Sequence, residues 1–166
     1  MQVALGGTFD PVHDGHRALF HRAFELGDVT VGLTSDALAP DTRPADRVVR
    51  PYPVRRAALA TELTPLADDY GQGLTIRRLE SPTGIATEPP FDAVVVSPET
   101  RPGGERINDI RTDRGLAPVT IEVVDHVLAD DGDPISSTRI VRGEIDEHGH
   151  VTPERDGREP PEQPDP

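Results

Sequence analysis

The chain has 166 residues, enough for one domain with its own core, and carries a net charge of −13 with no cysteine. The missing cysteine excludes disulfides, thiolate nucleophiles and Cys-ligated zinc. The acidity argues against a general nucleic-acid binder, which would present a basic face, and no apolar run is long enough to span a membrane. A basic leader and an apolar h-region are both missing from the N-terminus, so a cytoplasmic protein is expected.

Gln2–Leu5 reads as a short buried strand, followed by Gly6 and Gly7, which let the backbone turn tightly. Thr8 offers a hydroxyl donor, and Pro11 biases Asp10 toward extended backbone. The pattern turns helical near Asp14, with Leu19, Phe20, Ala23, Phe24 and Leu26 as an apolar stripe and Gly27 as the stop. Val29–Leu33 is a second, β-branched strand, so the opening forms a βαβ unit with parallel pairing. Thr34–Pro53 is a long connection with four prolines and with arginines at 43, 47 and 50. It leaves the carboxyl end of a parallel strand, where ligand sites of α/β proteins lie.

Val54 to about Asp69 reads as a second helix that Pro65 ends or kinks. Leu74–Leu79 alternates as an edge strand does, and Asp92–Val96 is apolar throughout after its first residue, hence central. Gly103–Arg114 reads as a third helix and Val119–Val124 as a fifth strand. The expected fold is α/β: a single Rossmann-like, doubly wound domain over residues 1–150, with a five-stranded parallel sheet and helices on both faces. Residues 151–166 read as an acidic, Pro-rich disordered tail, because they lack apolar side chains to bury.

Two stretches carry the chemistry. In the first, His13 and His16 sit one turn apart at the start of a helix, directly after the glycine turn and Thr8. Helix N-termini bind phosphate through backbone N–H groups and the dipole, and two imidazoles add donors there. In the second, Ser136, Ser137 and Thr138 open a short helix that runs to about Arg142. Such hydroxyls are ordinary caps, and they also suit polyphosphate oxygens. His126, His148 and His150 have no metal-like spacing and read as surface residues.

The stretch GGTFDPVHDGH at 6–16 resembles the T-x-x-x-H-x-G-H signature of the nucleotidylyltransferase superfamily, and ISST at 135–138 resembles its second phosphate-gripping motif. Together with GLTSD at 32–36, VVSPET at 95–100, DGDPISSTRI at 131–140 and GEID at 143–146, the chain resembles the archaeal-type phosphopantetheine adenylyltransferase family over residues 1–150. The resemblance implies transfer of AMP from ATP to phosphopantetheine, giving dephospho-coenzyme A and pyrophosphate in coenzyme A synthesis. It implies that Thr8 positions the acceptor phosphate and that His16 and His13 donate to the developing charge. It further implies that Gly7, Thr8, Phe9, His13, Gly15, His16, Ser136, Ser137 and Thr138 surround ATP. Mg²⁺ is expected to bridge the triphosphate, with no dedicated carboxylate cage.

One departure stands out. Relatives usually place a lysine in the loop after the second strand, but lysine does not occur in this chain and all 17 basic residues are arginines. Arg43, Arg47 and Arg50 are the replacements that the loop offers for holding the acceptor phosphate. Glu99, Asn108 and Arg111 are further candidates near the ligands. Two rivals stay open: another nucleotidylyltransferase of this fold, with nicotinamide mononucleotide, flavin mononucleotide or glycerol phosphate as acceptor, and a non-catalytic ATP sensor. A monomer is expected. High acidity with four Phe, two Tyr and no Trp resembles the proteins of salt-loving archaea, which repel one another and need screening by salt.

Overall fold

The computed structural model describes residues 1–42, 48–81 and 83–152. Five parallel strands form one sheet in the order β3-β2-β1-β4-β5: β1 Gln2–Gly7, β2 Asp28–Thr34, β3 Leu74–Leu79, β4 Ala93–Val96 and β5 Thr120–Val123. The helices are α1 Asp14–Leu26, α2 Tyr52–Tyr70, α3 Arg101–Asp113 and the short α4 Ser137–Val141, with 3₁₀ turns at Ala39–Thr42 and Ile85–Thr87.

The two-residue period of the strands divides the core. Val3, Leu5, Val29, Val31 and Val95 face α1 and α2, where they meet Phe20, Phe24, Leu59 and Leu63. Ala4, Val94 and Val96 point the other way, toward Ile85, Phe91, Val119 and the Ile107 side of α3. The sheet is therefore covered on both faces, and its central strands β1, β2 and β4 are apolar because they are buried on both sides. The chain reverses its winding at β1, and the adjacent β4 opens a crevice at the carboxyl ends of the two central strands.

Several boundaries differ from the expectation, each for a local reason. The helix α2 ends at Tyr70, one residue from the expected Asp69, and of the two outcomes expected at Pro65 it does not end there. Pro65 lies on the exposed side, where water can satisfy the carbonyl that loses its N–H partner, while the burial of Leu63 and Ala67 holds the next turn in place. Gly27 does end α1, but it does so in extended backbone. A Cβ there would lie 2.1 Å from the Met1 carbonyl oxygen, because β2 begins by donating from Asp28 N–H to that same oxygen.

Two residues beyond the expected domain boundary at residue 150 make contact with the domain. Val151 bridges Ile145 and packs on a small third core of Ala129, Ile135 and Ile145, and Thr152 donates its backbone N–H to the Glu144 carbonyl. The expectation of disorder for 153–166 lies outside the described residues.

Candidate active site

A cavity of about 920 Å³ opens at the carboxyl ends of β1 and β4. Its walls come from the loop after β1, the start of α1, the β4–α3 loop, and the segment from Val124 to Thr138 that carries α4. Gly7, Thr8, Phe9, His13, Gly15, His16, Ser136, Ser137 and Thr138, far apart in the chain, all line this one space, as does Glu99.

The two imidazoles are built into the start of α1. His13 is the N-cap residue: its Nδ1 accepts from the backbone N–H of Gly15 at 3.0 Å and of His16 at 3.3 Å. In return His16 Nδ1 accepts from His13 N–H at 3.3 Å, completing a reciprocal capping box made of two histidines. An Nδ1 that accepts carries no proton, so the ring proton of each imidazole resides on Nε2. The rings stack at 3.7 Å with 19° between their planes, and Phe9 meets the His16 ring edge-on at 4.8 Å. Gly15 has a steric reason within the protein: a Cβ there would lie 2.8 Å from His13 Cε1.

This arrangement changes how the helix end can act. The first N–H groups of α1 all have partners inside the protein: Asp14 on the Glu147 carbonyl, Gly15 and His16 on His13 Nδ1, and Arg17 on the His13 carbonyl. They therefore do not themselves grip an anion in this state, contrary to the expectation from sequence. The imidazoles take up the N–H groups at Nδ1 and present Nε2–H donors, seated at the positive end of the dipole.

Thr8 Oγ1 lies 2.9 Å from Thr34 Oγ1, at the end of β2. Ser136 caps α4 by accepting from Arg139 N–H at 3.2 Å, and Ser137 donates its hydroxyl to the Pro11 carbonyl at 2.8 Å. The cap role of Ser136 is thus real, and the Ser137 bond ties α4 to the opening loop across 126 residues of sequence. Phe9 is 3 % exposed and belongs mainly to the core, where it supports the His16 ring.

Other expected residues fall elsewhere. Asn108 is not at the cavity; it clamps the backbone of Val119, accepting its N–H at 2.7 Å and donating to its carbonyl at 3.0 Å. Arg111 is buried and donates to the carbonyls of Ala117, Ala86, Glu88 and Phe91, which staples α3 to the loops beneath it. Its four bonds go to backbone, so its place is structural. Arg43 and Arg47 lie outside the described residues. Arg50 is bound to Asp10, with Nε 2.5 Å and the backbone N–H 2.8 Å from the two carboxylate oxygens. Asp10 itself lines the cavity and is 4 % exposed.

Among the cavity residues that escaped the sequence reading are His126 and Arg139. His126 is not a bland surface group: it lines the cavity, with Nε2 3.9 Å from Glu99 Oε1. Arg139 is the one arginine lining the cavity among the described residues, held by Asp131, by Glu144 at 3.3 Å and by the Pro134 carbonyl at 3.1 Å. The Asp131 hydrogen bond raises the Arg139 guanidinium above its ordinary range. Its signal was its place directly after the hydroxyl trio.

The α4 segment is fastened to α1 by an ionic cluster. Arg17 binds Asp14 at 2.9 Å, Glu62 at 2.8 Å and Glu147 at 3.0 Å, and His148 adds a 3.1 Å contact to Asp14. Burial alone would raise the Asp14 carboxyl, but the bonds from Arg17 and His148 outweigh it and hold the group below its ordinary value. Among the described residues no three His, Asp or Glu side chains converge as a metal-ligand set.

A family model described as cytidylyltransferase-like matches residues 4–143. A phosphopantetheine adenylyltransferase of Methanosarcina mazei is 42 % identical over 156 residues, covering 92 % of this chain and 98 % of that one. One from Archaeoglobus fulgidus is 42 % identical over 153 residues, covering 91 % and 99 %. The crystal structure of an Archaeoglobus fulgidus protein of unknown function superposes with a TM-score of 0.65 at 37 % identity, over 75 % of this chain and 90 % of that one.

Proposed function

Because the chain belongs to the cytidylyltransferase-like family, and within it to the phosphopantetheine adenylyltransferases, we infer that its reaction is AMP transfer from ATP to 4′-phosphopantetheine. The products are dephospho-coenzyme A and pyrophosphate, a step of coenzyme A synthesis. The observation that carries the site assignment is the pair of Nε2–H donors fixed by the histidine capping box beside Thr8.

The chemistry asks little beyond position and charge. An acceptor phosphate oxygen attacks the α-phosphorus of ATP in line, the bond to the bridging oxygen breaks, and pyrophosphate leaves. No covalent enzyme intermediate is required, so the rate comes from orientation and from donors aimed at developing charge. His16 and His13 supply those donors on the α- and β-phosphates. Their tautomer is set before substrate arrives, so no reorganisation is needed during the reaction. Thr8 holds the acceptor phosphate, and Ser136, Thr138 and Arg139 bound the leaving pyrophosphate.

The cavity wall also carries carboxylates, among them Asp10, Glu99, Asp125 and Glu144, so a bare tetra-anion would be repelled. Mg²⁺ that travels with the triphosphate relieves this repulsion when bound, and the chain's own donors fit a metal held mainly by phosphate and water. One of Arg43, Arg47 and Arg50 takes the place of the lysine expected in this loop. We place the protein in the cytoplasm as a monomer, from a halophilic archaeon. For the last, thermal stability is expected to rise between low and molar potassium chloride, as screening relieves the charge of −13.

The test is pyrophosphate release from ATP and Mg²⁺ with four acceptors offered separately: phosphopantetheine, nicotinamide mononucleotide, flavin mononucleotide and glycerol phosphate. Release with phosphopantetheine alone is expected. Release with a different acceptor would keep the mechanism and overturn the substrate. ATP binding without release for any acceptor would leave a sensor.

A further inference from the structure

Behind Thr8 lies a buried cation that the chemistry above does not use. Arg55, from the first turn of α2, is fully buried. Its guanidinium donates from Nε to the Arg50 carbonyl at 2.7 Å, from Nη2 to Asp36 Oδ1 at 3.0 Å, and from Nη1 to Thr34 Oγ1 at 3.2 Å, with the Thr8 carbonyl 3.4 Å from Nη1. One side chain thus joins the loop after β1, the end of β2 and the segment that precedes α2.

The direction of the hydrogen bonds follows from donor inventory. A guanidinium has no acceptor, so Thr34 Oγ1 must accept from Arg55. Thr34 is 1 % exposed, and its hydroxyl proton needs a partner within the protein. Among the described residues the acceptor within reach is Thr8 Oγ1, at 2.9 Å. With Thr34 donating to it, the Thr8 hydroxyl proton is turned away from Thr34.

We propose that Arg55 and Thr34 form a one-way relay that sets the Thr8 hydroxyl as a donor to the acceptor phosphate. Both are positioning residues: Arg55 orients Thr34, and Thr34 orients Thr8. The relay deepens the functional reading above and rests on it, since it needs Thr8 to meet the acceptor. Its consequence is selective, because it prepares the acceptor side of the cavity and leaves the histidine side to its own capping box. Bonds in such a chain polarise one another, which makes the terminal hydroxyl a better donor to an anion.

The experiment compares Thr34→Val, Thr34→Ser, Thr8→Val and the Thr8→Val/Thr34→Val double variant, with KM for phosphopantetheine and for ATP measured on each. Thr34→Val is expected to raise the phosphopantetheine KM about fivefold or more with the ATP KM unchanged, and Thr34→Ser to restore it. In the Thr8→Val background, Thr34→Val is expected to add nothing further. A general structural role would raise both KM values, or add its effect in the double variant, and would overturn the relay. An unaltered Thr34→Val beside an impaired Thr8→Val would overturn the relay and leave the reading of Thr8 standing. An unaltered Thr8→Val would overturn both. Thr34→Cys, which keeps a polar atom against the guanidinium but only a weak donor, carries the same comparison if the valine variant does not fold.

Discussion

His16 has two jobs that one substitution can separate. Its Nδ1 closes the capping box on His13 N–H, and its Nε2–H is the donor proposed for the transition state. An asparagine side chain puts an acceptor near the place of Nδ1 and nothing at Nε2. A glutamine side chain reaches the place of Nε2 with an N–H and leaves Nδ1 empty. The capping bond is long, at 3.3 Å, so its loss costs about 1 kcal/mol at most and lowers Tm by roughly 2–4 °C. Loss of a preorganised donor costs more, about 10²–10³ in turnover, or roughly 3–4 kcal/mol of barrier.

His16→Asn is therefore expected to melt near the parent and to lose about 10²–10³ in kcat with ATP affinity nearly kept. His16→Gln is expected to melt a few degrees lower and to recover part of the rate. Calorimetric ATP titration, melting curves and pyrophosphate release read the three quantities separately. A His16→Asn enzyme with parental kcat would refute the reasoning, because the capping role alone would then account for the residue.

Three further outcomes follow from the contacts. Arg111→Met should leave four backbone carbonyls without their donor and destabilise the fold by about 4 kcal/mol, while KM for both substrates in the folded protein stays unchanged; urea melts alongside kinetics decide this. Asp14 is held below its ordinary value, so its contribution to stability is complete above about pH 4 and is lost as pH falls through its folded value. Asp14→Asn should flatten that acid limb in a Tm profile from pH 2 to 6, by under about 1 kcal/mol because the group is one-third exposed, and an unchanged limb would exclude Asp14 as its source. Truncation after Thr152 should leave kcat and KM within about twofold of the full chain, whereas truncation after His150 removes Val151 from the third core and should lower Tm measurably.

Much of this protein was legible without coordinates, because the relevant physics is local. The runs VTVGL and DAVVV are short, β-branched and apolar, the pattern of strands covered on both faces, so the parallel sheet and its central members followed from composition and period. The order glycine turn, threonine, histidine, histidine after a strand placed those donors at a helix start, since spacing alone puts residues 13 and 16 on one face. At Pro65 the sequence left open whether the helix ends or bends, because local propensity is weak against the burial of Leu63 and Ala67, whose effect depends on the sheet beneath.

What only the tertiary structure decided is which polar group meets which. Arg55 carries no mark in the sequence and Arg111 suggested a place near the ligands, yet one lies behind Thr8 and the other holds α3 to its loops. The same holds for the Ser137 bond to Pro11, and for His126 and Arg139 at the cavity wall. The hydrophobic pattern is a one-dimensional record of what must leave water, so it survives in the sequence. A hydrogen bond between residues 8 and 34, or 11 and 137, exists only once the core has brought the chain segments within 3 Å, and no period along the chain encodes it.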